Sequence, residues 1–229
     1  MDYIIQGFGE AIGLLLSFDK EIYSIILLTL YVTLMSTFIA ALIAVPLGIL
    51  MGIKNFVFKK TLIRLLYTFM SMPPVIAGLF VFLILSRRGP LGQLELLFTP
   101  TAMIIAQVLL VAPIIMGITY NNTREKGKTI KQVAHTLGAS KLQALVLLLF
   151  ELRADILAAV VSGFGRAISE VGAVILVGGN IKGHTRVMTT SIAMLQSMGD
   201  YSQAIAIGVV LLVISFVINS ILYQGQKVI

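Results

Sequence analysis

The sequence predicts an all-α, polytopic membrane protein with about five transmembrane helices, and two observations carry that prediction. Of its 229 residues only 12% are charged and 58% are hydrophobic, whereas a soluble domain carries about a quarter charged residues. The apolar residues also gather in runs of the roughly 20 positions needed to cross about 30 Å of hydrocarbon. No internal repeat or low-complexity linker divides the chain. Residues 1–229 therefore read as one membrane domain.

The elements follow in order. The opening MDYIIQGFGEAIGLLLSFDK is too short and too interrupted to span, so an interfacial helix is expected there. The first span covers about 21–52, with Pro46 as a site for a kink. At about 1.5 Å per residue it outruns the hydrocarbon core yet is too short for two crossings. The second span, about 61–85, contains Pro73-Pro74. Such a break survives in a membrane where other helices or a cavity satisfy the freed carbonyls. The third span, about 99–120, opens with Pro100 in its first turn. The fourth covers about 155–177 and the fifth about 202–223.

Charge sets the expected sidedness. Lys54, Lys59, Lys60, Arg64, Arg124, Lys126, Lys128, Lys131, Lys141, Arg153 and Lys227 fall on one side, eleven in all. Lys20, Arg87, Arg88, Lys182 and Arg186 fall on the other, and Arg166 lies within a span. Basic residues concentrate in cytoplasmic loops, so the eleven are expected inside, with the N-terminus outside and the C-terminus inside. The net charge of +7 thus reads as a topology signal and not as a nucleic-acid surface.

Several chemistries find no support. The chain has no cysteine, so disulfides and thiol catalysis are excluded. His135 and His184 fall in different loops without companion ligands, so no metal site is expected. Gly127-Lys128-Thr129 looks like half a phosphate loop, but Asn122 stands where the first glycine belongs and a span precedes it. The GFGRAI run at 163–168 lacks the third glycine of a dinucleotide turn, and its glycines read as helix-packing positions. Asn121-Asn122-Thr123 is a formal glycosylation sequon on the side expected to be cytoplasmic. No catalytic set of Ser, His and Asp stands out, and the chain is not expected to be an enzyme.

Two segments carry functional information. In QVAHTLGASKLQAL, residues 132–145, the spacing of Val133, Leu137 and Leu142 among polar neighbours predicts a short amphipathic helix on the membrane surface. A helix that merely links two spans is the plain alternative. The second segment is GRAISEVGAVILVGGNIKGHTRVMTTSI, residues 165–192. Arg166 and Glu170 stand four apart on one face within a span, where charges are costly. They read either as a buried structural ion pair or as groups beside a translocation path. In the second reading Gly172, Gly178 and Gly179 let backbone approach a passing solute.

HTLGASKLQALVLLLFEL resembles the cytoplasmic signature loop of ABC-importer permeases, which runs Glu-Ala-Ala, three residues, Gly, then an apolar stretch ending in Leu-Pro. Here the alanine maps to Ala134 and the glycine to Gly138, followed by Ala139 and Ser140. Gln132 and Val133 take the first two positions, and Phe150-Glu151 stands where Leu-Pro is expected. The second segment is similar to the molybdate and tungstate branch of that family. Its Glu-x-Gly-Ala, Gly-Asn-Ile and Thr-Arg fall on Glu170, Gly172, Ala173, Gly179, Asn180, Ile181, Thr185 and Arg186. MPPVIAGLFVFLILSRRGPLG, residues 72–92, resembles the corresponding early span and outer loop. VGAVILVGGNI followed by TRVMTTSIA is most like tungstate-type permeases.

The resemblance implies a permease subunit of an ATP-driven oxyanion importer, for tungstate first and molybdate next, in the cytoplasmic (inner) membrane of a bacterium or archaeon. It implies a homodimer in the bilayer with the path between two copies. Two cytoplasmic ABC ATPase subunits would hold ATP-Mg, so this chain needs no cofactor of its own. An extracytoplasmic oxyanion-binding protein would deliver the solute, and no nucleic acid is involved. Within a coupling loop of about 128–145, the ATPase-docking residues would be Ala134, His135, Thr136, Leu137, Gly138, Ala139 and Ser140. Path or gate candidates are Pro73, Pro74, Arg166, Glu170, Gly172, Gly178, Gly179 and Asn180. The rival reading is an ATPase-independent secondary transporter or channel for a small anion.

Overall fold

A computed structural model describes residues 7, 9–11, 13 and 20–228, with side chains through residue 224. Its regular elements are α1 (Lys20–Ile53), α2 (Lys59–Met70), α3 (Pro74–Leu85), a short 3-10 turn (Gly92–Leu94), α4 (Pro100–Thr136), α5 (Lys141–Glu151), α6 (Arg153–Ile168), α7 (Gly172–Gly178), α8 (Met188–Met198) and α9 (Tyr201–Val228). Among the described residues there is no strand. The interfacial helix expected over the first twenty residues lies largely outside the described residues. Of the positions that are described, Ala11 is buried with Ile207 and Val210 of α9, and Glu10 Oε1 accepts from Ser202 Oγ at 3.0 Å.

Helix α4 is the axis against which α1 to α3 and α5 to α7 take their register. It starts at Pro100 because Thr99 caps it, the Thr99 hydroxyl accepting from the Ala102 N–H. Helix α1 runs parallel to it: Ser36 bonds Gln107 at 2.7 Å. Gly48 abuts Met116 and Thr119, and Gly52 abuts Thr123. Helices α6 and α7 run antiparallel, with Lys126 paired to Asp155, Gly163 against Ile115 and Gly178 against Met103. Gly163 is thus a packing glycine, since a Cβ there would lie 2.7 Å from Ile115, whereas Gly165 faces open space.

These contacts sort the loops into two ends. Loop 54–58 and the α4–α6 connection lie at one end, and the turns at 86–99 and 179–187 at the other. The helices also turn apolar side chains outward. Leu27, Phe38 and Leu42 of α1, Phe80 of α3, and Leu212 and Phe216 of α9 are each more than 60% exposed. In water such surface would drive aggregation, whereas against acyl chains or a second subunit it is satisfied. Helices α1, α4 and α9 each suffice to cross a membrane, and the bent pairs α2–α3 and α6–α7 raise the number to as many as five.

Five features depart from the sequence expectation. The region expected as one second span turns through 101° between α2 and α3. The fourth is also two helices, α6 and α7, meeting at 59°. The third does not stop near Tyr120 but runs to Thr136, so the 128–136 part of the expected loop is helix. Helix α8, in a region expected as loop, sits between the last two spans. The structure also splits the amphipathic helix expected at 132–145. Gly138 has φ +76°, outside any helix, and separates α4 from α5.

Candidate functional site

The α4–α5 hairpin is built by local chemistry. The Ala139 N–H bonds the Ala134 carbonyl at 2.9 Å and the Gly138 N–H bonds the His135 carbonyl at 3.0 Å. That pair is the glycine-terminated helix end in which the residue after the cap is left-handed. Ser140 then opens α5: its hydroxyl accepts from the Gln143 N–H and its own N–H donates to Gln143 Oε1 at 2.8 Å. The chain reverses within four residues and α5 returns along α4, where Leu148 meets Gly127. Gly127-Lys128-Thr129 is therefore continuous helix and no phosphate loop.

Ala134 is buried at 1%, while Val133, Leu137 and Leu142 are exposed at 50%, 79% and 71%. His135, Thr136, Gly138 and Ser140 are exposed beside them. A Cβ added to Gly138 would meet nothing within 4 Å. The apolar tip projects from the end of the molecule that carries the basic loops.

The second cluster lies where the two bent pairs meet. Pro73 and Pro74 remove two backbone donors, and Pro74 starts α3 at a position where a missing N–H costs nothing. No proline breaks α6. It ends at Ile168, and α7 is restarted by Glu170, whose Oε1 accepts from the Ala173 N–H at 2.9 Å. The other oxygen pairs with Arg166 at 2.8 Å, where the Glu170 side chain is only 2% exposed and that of Arg166 31%. The Glu170 carbonyl accepts from Thr189 Oγ1 at 2.9 Å, tying the break to α8. Of the two readings of the pair, the geometry is that of a brace: both carboxylate oxygens are engaged.

Three contacts that the sequence reading did not single out complete this cluster. Gln107 Nε2 donates to the Ala167 carbonyl at 3.1 Å, next to the break, while its Oε1 accepts from Ser36 Oγ. Its signal was visible, as an amide in the middle of an apolar run. Thr29 Oγ1 accepts from the Met188 N–H at 2.9 Å and so holds the start of α8 against α1. Gly78 lets α3 close on α7, since a Cβ there would lie 2.7 Å from the Ala173 Cα.

The glycines expected to open backbone to a solute are filled in this chain by neighbours. A Cβ would lie 3.2 Å from Val75 at Gly172, 3.0 Å from Met103 at Gly178 and 2.8 Å from Phe98 at Gly179. Each of the three packs against one of these side chains. Gly179 and Asn180 are both left-handed, at φ +73° and +51°, and start the outer turn. Thr185 closes that turn, accepting from the Ile181 N–H and donating to the Gly178 carbonyl. Asn180 Oδ1 and Arg186 Nε are buried there without a hydrogen-bond partner among the described residues. The structure thus brings Pro74, Arg166, Glu170 and Gly172 together, and leaves Gly178–Asn180 at one end of α7. The hairpin lies at the opposite end of α4.

Residues 44–228 match the family described as the binding-protein-dependent transport system inner membrane component. The chain belongs to that family. It is a transport permease subunit of the ABC type, and its family works in the inner membrane with a binding protein and an ATPase. The chain is 56% identical to the tungstate uptake system permease protein TupB of Peptoclostridium acidaminophilum, over 99% of this chain and 100% of that one. It is 35% identical to the protein of the same name from Campylobacter jejuni, over 99% and 95%. A probable anion ABC transporter permease protein of Haloferax volcanii is 34% identical, over 86% and 88%.

Proposed function

We propose that this chain is the membrane subunit of an ATP-driven importer of tungstate, with molybdate the next candidate solute. The observation that carries the solute is the 56% identity, along nearly the whole of both chains, to a tungstate uptake permease. Two copies form the path, two ATPase subunits that bind ATP-Mg sit beneath, and an extracytoplasmic oxyanion-binding protein sits above. The eleven basic residues at one end support an orientation with the hairpin in the cytoplasm and Lys20 outside.

In this reading Thr136–Ser140 is the ATPase dock, with Leu137 and Leu142 its apolar contacts. Helix α4 is the connecting rod. From Thr136 back to Gln107 it is unbroken helix, about 44 Å at 1.5 Å per residue. Gln107 there bonds the carbonyl beside the α6–α7 break. A displacement of the hairpin would therefore be carried along α4 to the bent pairs. ATP moves the spans by favouring one arrangement over the other. Arg166 neutralises Glu170, so the brace presents no net charge to an entering anion.

The test is reconstitution with a purified ATPase and binding protein, followed by uptake of tungstate, molybdate and sulfate. ATP-dependent tungstate uptake is expected. Sulfate-selective uptake would overturn the solute, and uptake by this chain alone would overturn the dependence on an ATPase.

A further inference from the structure

Between the end of α1, loop 54–58, α2 and the inner part of α4 lies an open cavity of about 870 Å³. Its lining holds Lys59, Lys60, Arg64, Arg124, Lys128 and Lys131 and no carboxylate. Arg124, Lys128 and Lys131 recur at helical spacing and so share one face of α4. Among the described residues none of the six pairs with an acid, and Glu125, beside Arg124, is outside the lining. Six like charges around one groove repel each other until an anion enters.

The opposite face of α2 borders a second cavity of about 550 Å³, also flanked by α1 and α4. Leu47, Leu50, Leu62, Leu65 and Phe69 contribute to its apolar wall, and Lys54 is the one charged residue lining it. The two cavities adjoin at loop 54–58, where Lys54 lines the apolar cavity and Lys59 the cationic one. The Lys59 Nζ donates to the Lys54 carbonyl at 2.8 Å, and Phe56 lines both cavities. From the same loop Val57 and Phe58 project, 92% and 75% exposed. Apolar tips beside a cationic groove are the pattern of a segment seated at a membrane surface.

We infer that this corner binds an anionic phospholipid, with an acyl chain in the apolar cavity and the phosphate at the Lys54–Lys59 junction facing the acid-free cations. A free oxyanion would use the cations but leave the adjoining apolar cavity unexplained. Basic pockets between helices on the cytoplasmic side are a known way to hold lipid headgroups. Assigning the lipid to the cytoplasmic leaflet rests on the orientation proposed above. The binding itself does not, so the two fail separately.

The test is native mass spectrometry of the full chain with phosphatidylglycerol and phosphatidylcholine of identical acyl chains. Preferential retention of phosphatidylglycerol is expected. Lys60→Gln, Arg64→Gln and Lys128→Gln, made singly to spare folding, should each lower the preference roughly fivefold, the equivalent of about 1 kcal/mol per cation near the surface. Lys60→Arg should keep it, and Arg87→Gln with Arg88→Gln at the other end should leave it unchanged. Leu65→Gln, in the apolar wall, should weaken retention of phosphatidylglycerol with every cation still present. Equal retention of the two lipids, or neutral variants that retain the preference, would overturn the inference. Displacement of the lipid by millimolar-range tungstate or inorganic phosphate would also overturn it, and would make the groove a free-oxyanion site.

Discussion

The Arg166–Glu170 pair offers a direct measure of what holds the broken helix α6–α7. Removing one partner of a buried pair costs about 3–5 kcal/mol because the other is left uncompensated. Here the side chains differ in exposure, 31% for Arg166 and 2% for Glu170. Water can rehydrate an orphaned Arg166, so Glu170→Gln should cost less, about 2 kcal/mol. Glutamine also keeps an oxygen to accept from the Ala173 N–H, and so preserves the start of α7. Glu170→Ala loses that cap as well, adding about 1 kcal/mol. Arg166→Gln strands a carboxylate that water reaches poorly and should cost about 3 kcal/mol.

The double variant Arg166→Gln/Glu170→Gln should be milder than the sum of the singles, with a coupling of about 1–2 kcal/mol. The chain has no tryptophan, so melting is best followed by circular dichroism at the helical band. At about 2–4 °C per kcal/mol for a chain of this size, Glu170→Gln should melt about 4–8 °C lower and Arg166→Gln lower still. Additivity of the two singles within about 0.5 kcal/mol would refute the brace.

Gly138→Leu, strained at φ +76°, should deform the hairpin tip while leaving insertion intact and uncouple ATP hydrolysis from uptake; Gly138→Asn, which tolerates that φ, should retain more coupling, and normal uptake by the leucine variant would refute the dock. Gly78→Ala drives a Cβ to 2.7 Å from the Ala173 Cα, and overpacking of this kind should destabilise by about 1–3 kcal/mol, read as a lower melting temperature. Gln107→Leu removes the link to Ala167 and should cost about 1–2 kcal/mol. The loss stays modest because the Glu170 N–H still reaches the Ala167 carbonyl. Because there is no native cysteine, Lys141→Cys and Arg88→Cys report orientation cleanly. An impermeant thiol reagent applied to whole cells should label the second and spare the first, and the reverse would invert the topology.

The parts legible in the sequence are those that depend on one residue at a time. Pro73-Pro74 announces its break because proline lacks a donor wherever it stands. Gly138 announced a special position, but its role as a left-handed helix end needed the Ala134 and His135 carbonyls to be placed around it. The break at 169–171 was hidden because no breaker residue causes it. Glu170 restarts the helix only because its side chain turns back to the Ala173 N–H. Helix α8 was hidden because its MTTSIAMLQSM is short and mixed in polarity, and what fixes it is distant: the Met188 N–H donates to Thr29 of α1 and Thr189 to the Glu170 carbonyl.

The sequence by itself determined an all-helical membrane chain, its apolar runs and the uneven distribution of its charges. Hydropathy and charge act on each segment through the solvent it meets, so they need no partner to be read. Only the tertiary structure decided that two of those runs are bent, that the conspicuous glycines are filled by Val75, Met103 and Phe98, and that α4 joins the hairpin to the break. Those outcomes depend on pairs of groups far apart in sequence, such as Gln107 with Ala167 and Gly78 with Ala173. A buried polar group in a membrane has no water to fall back on, so its structure is set by whichever partner the fold delivers.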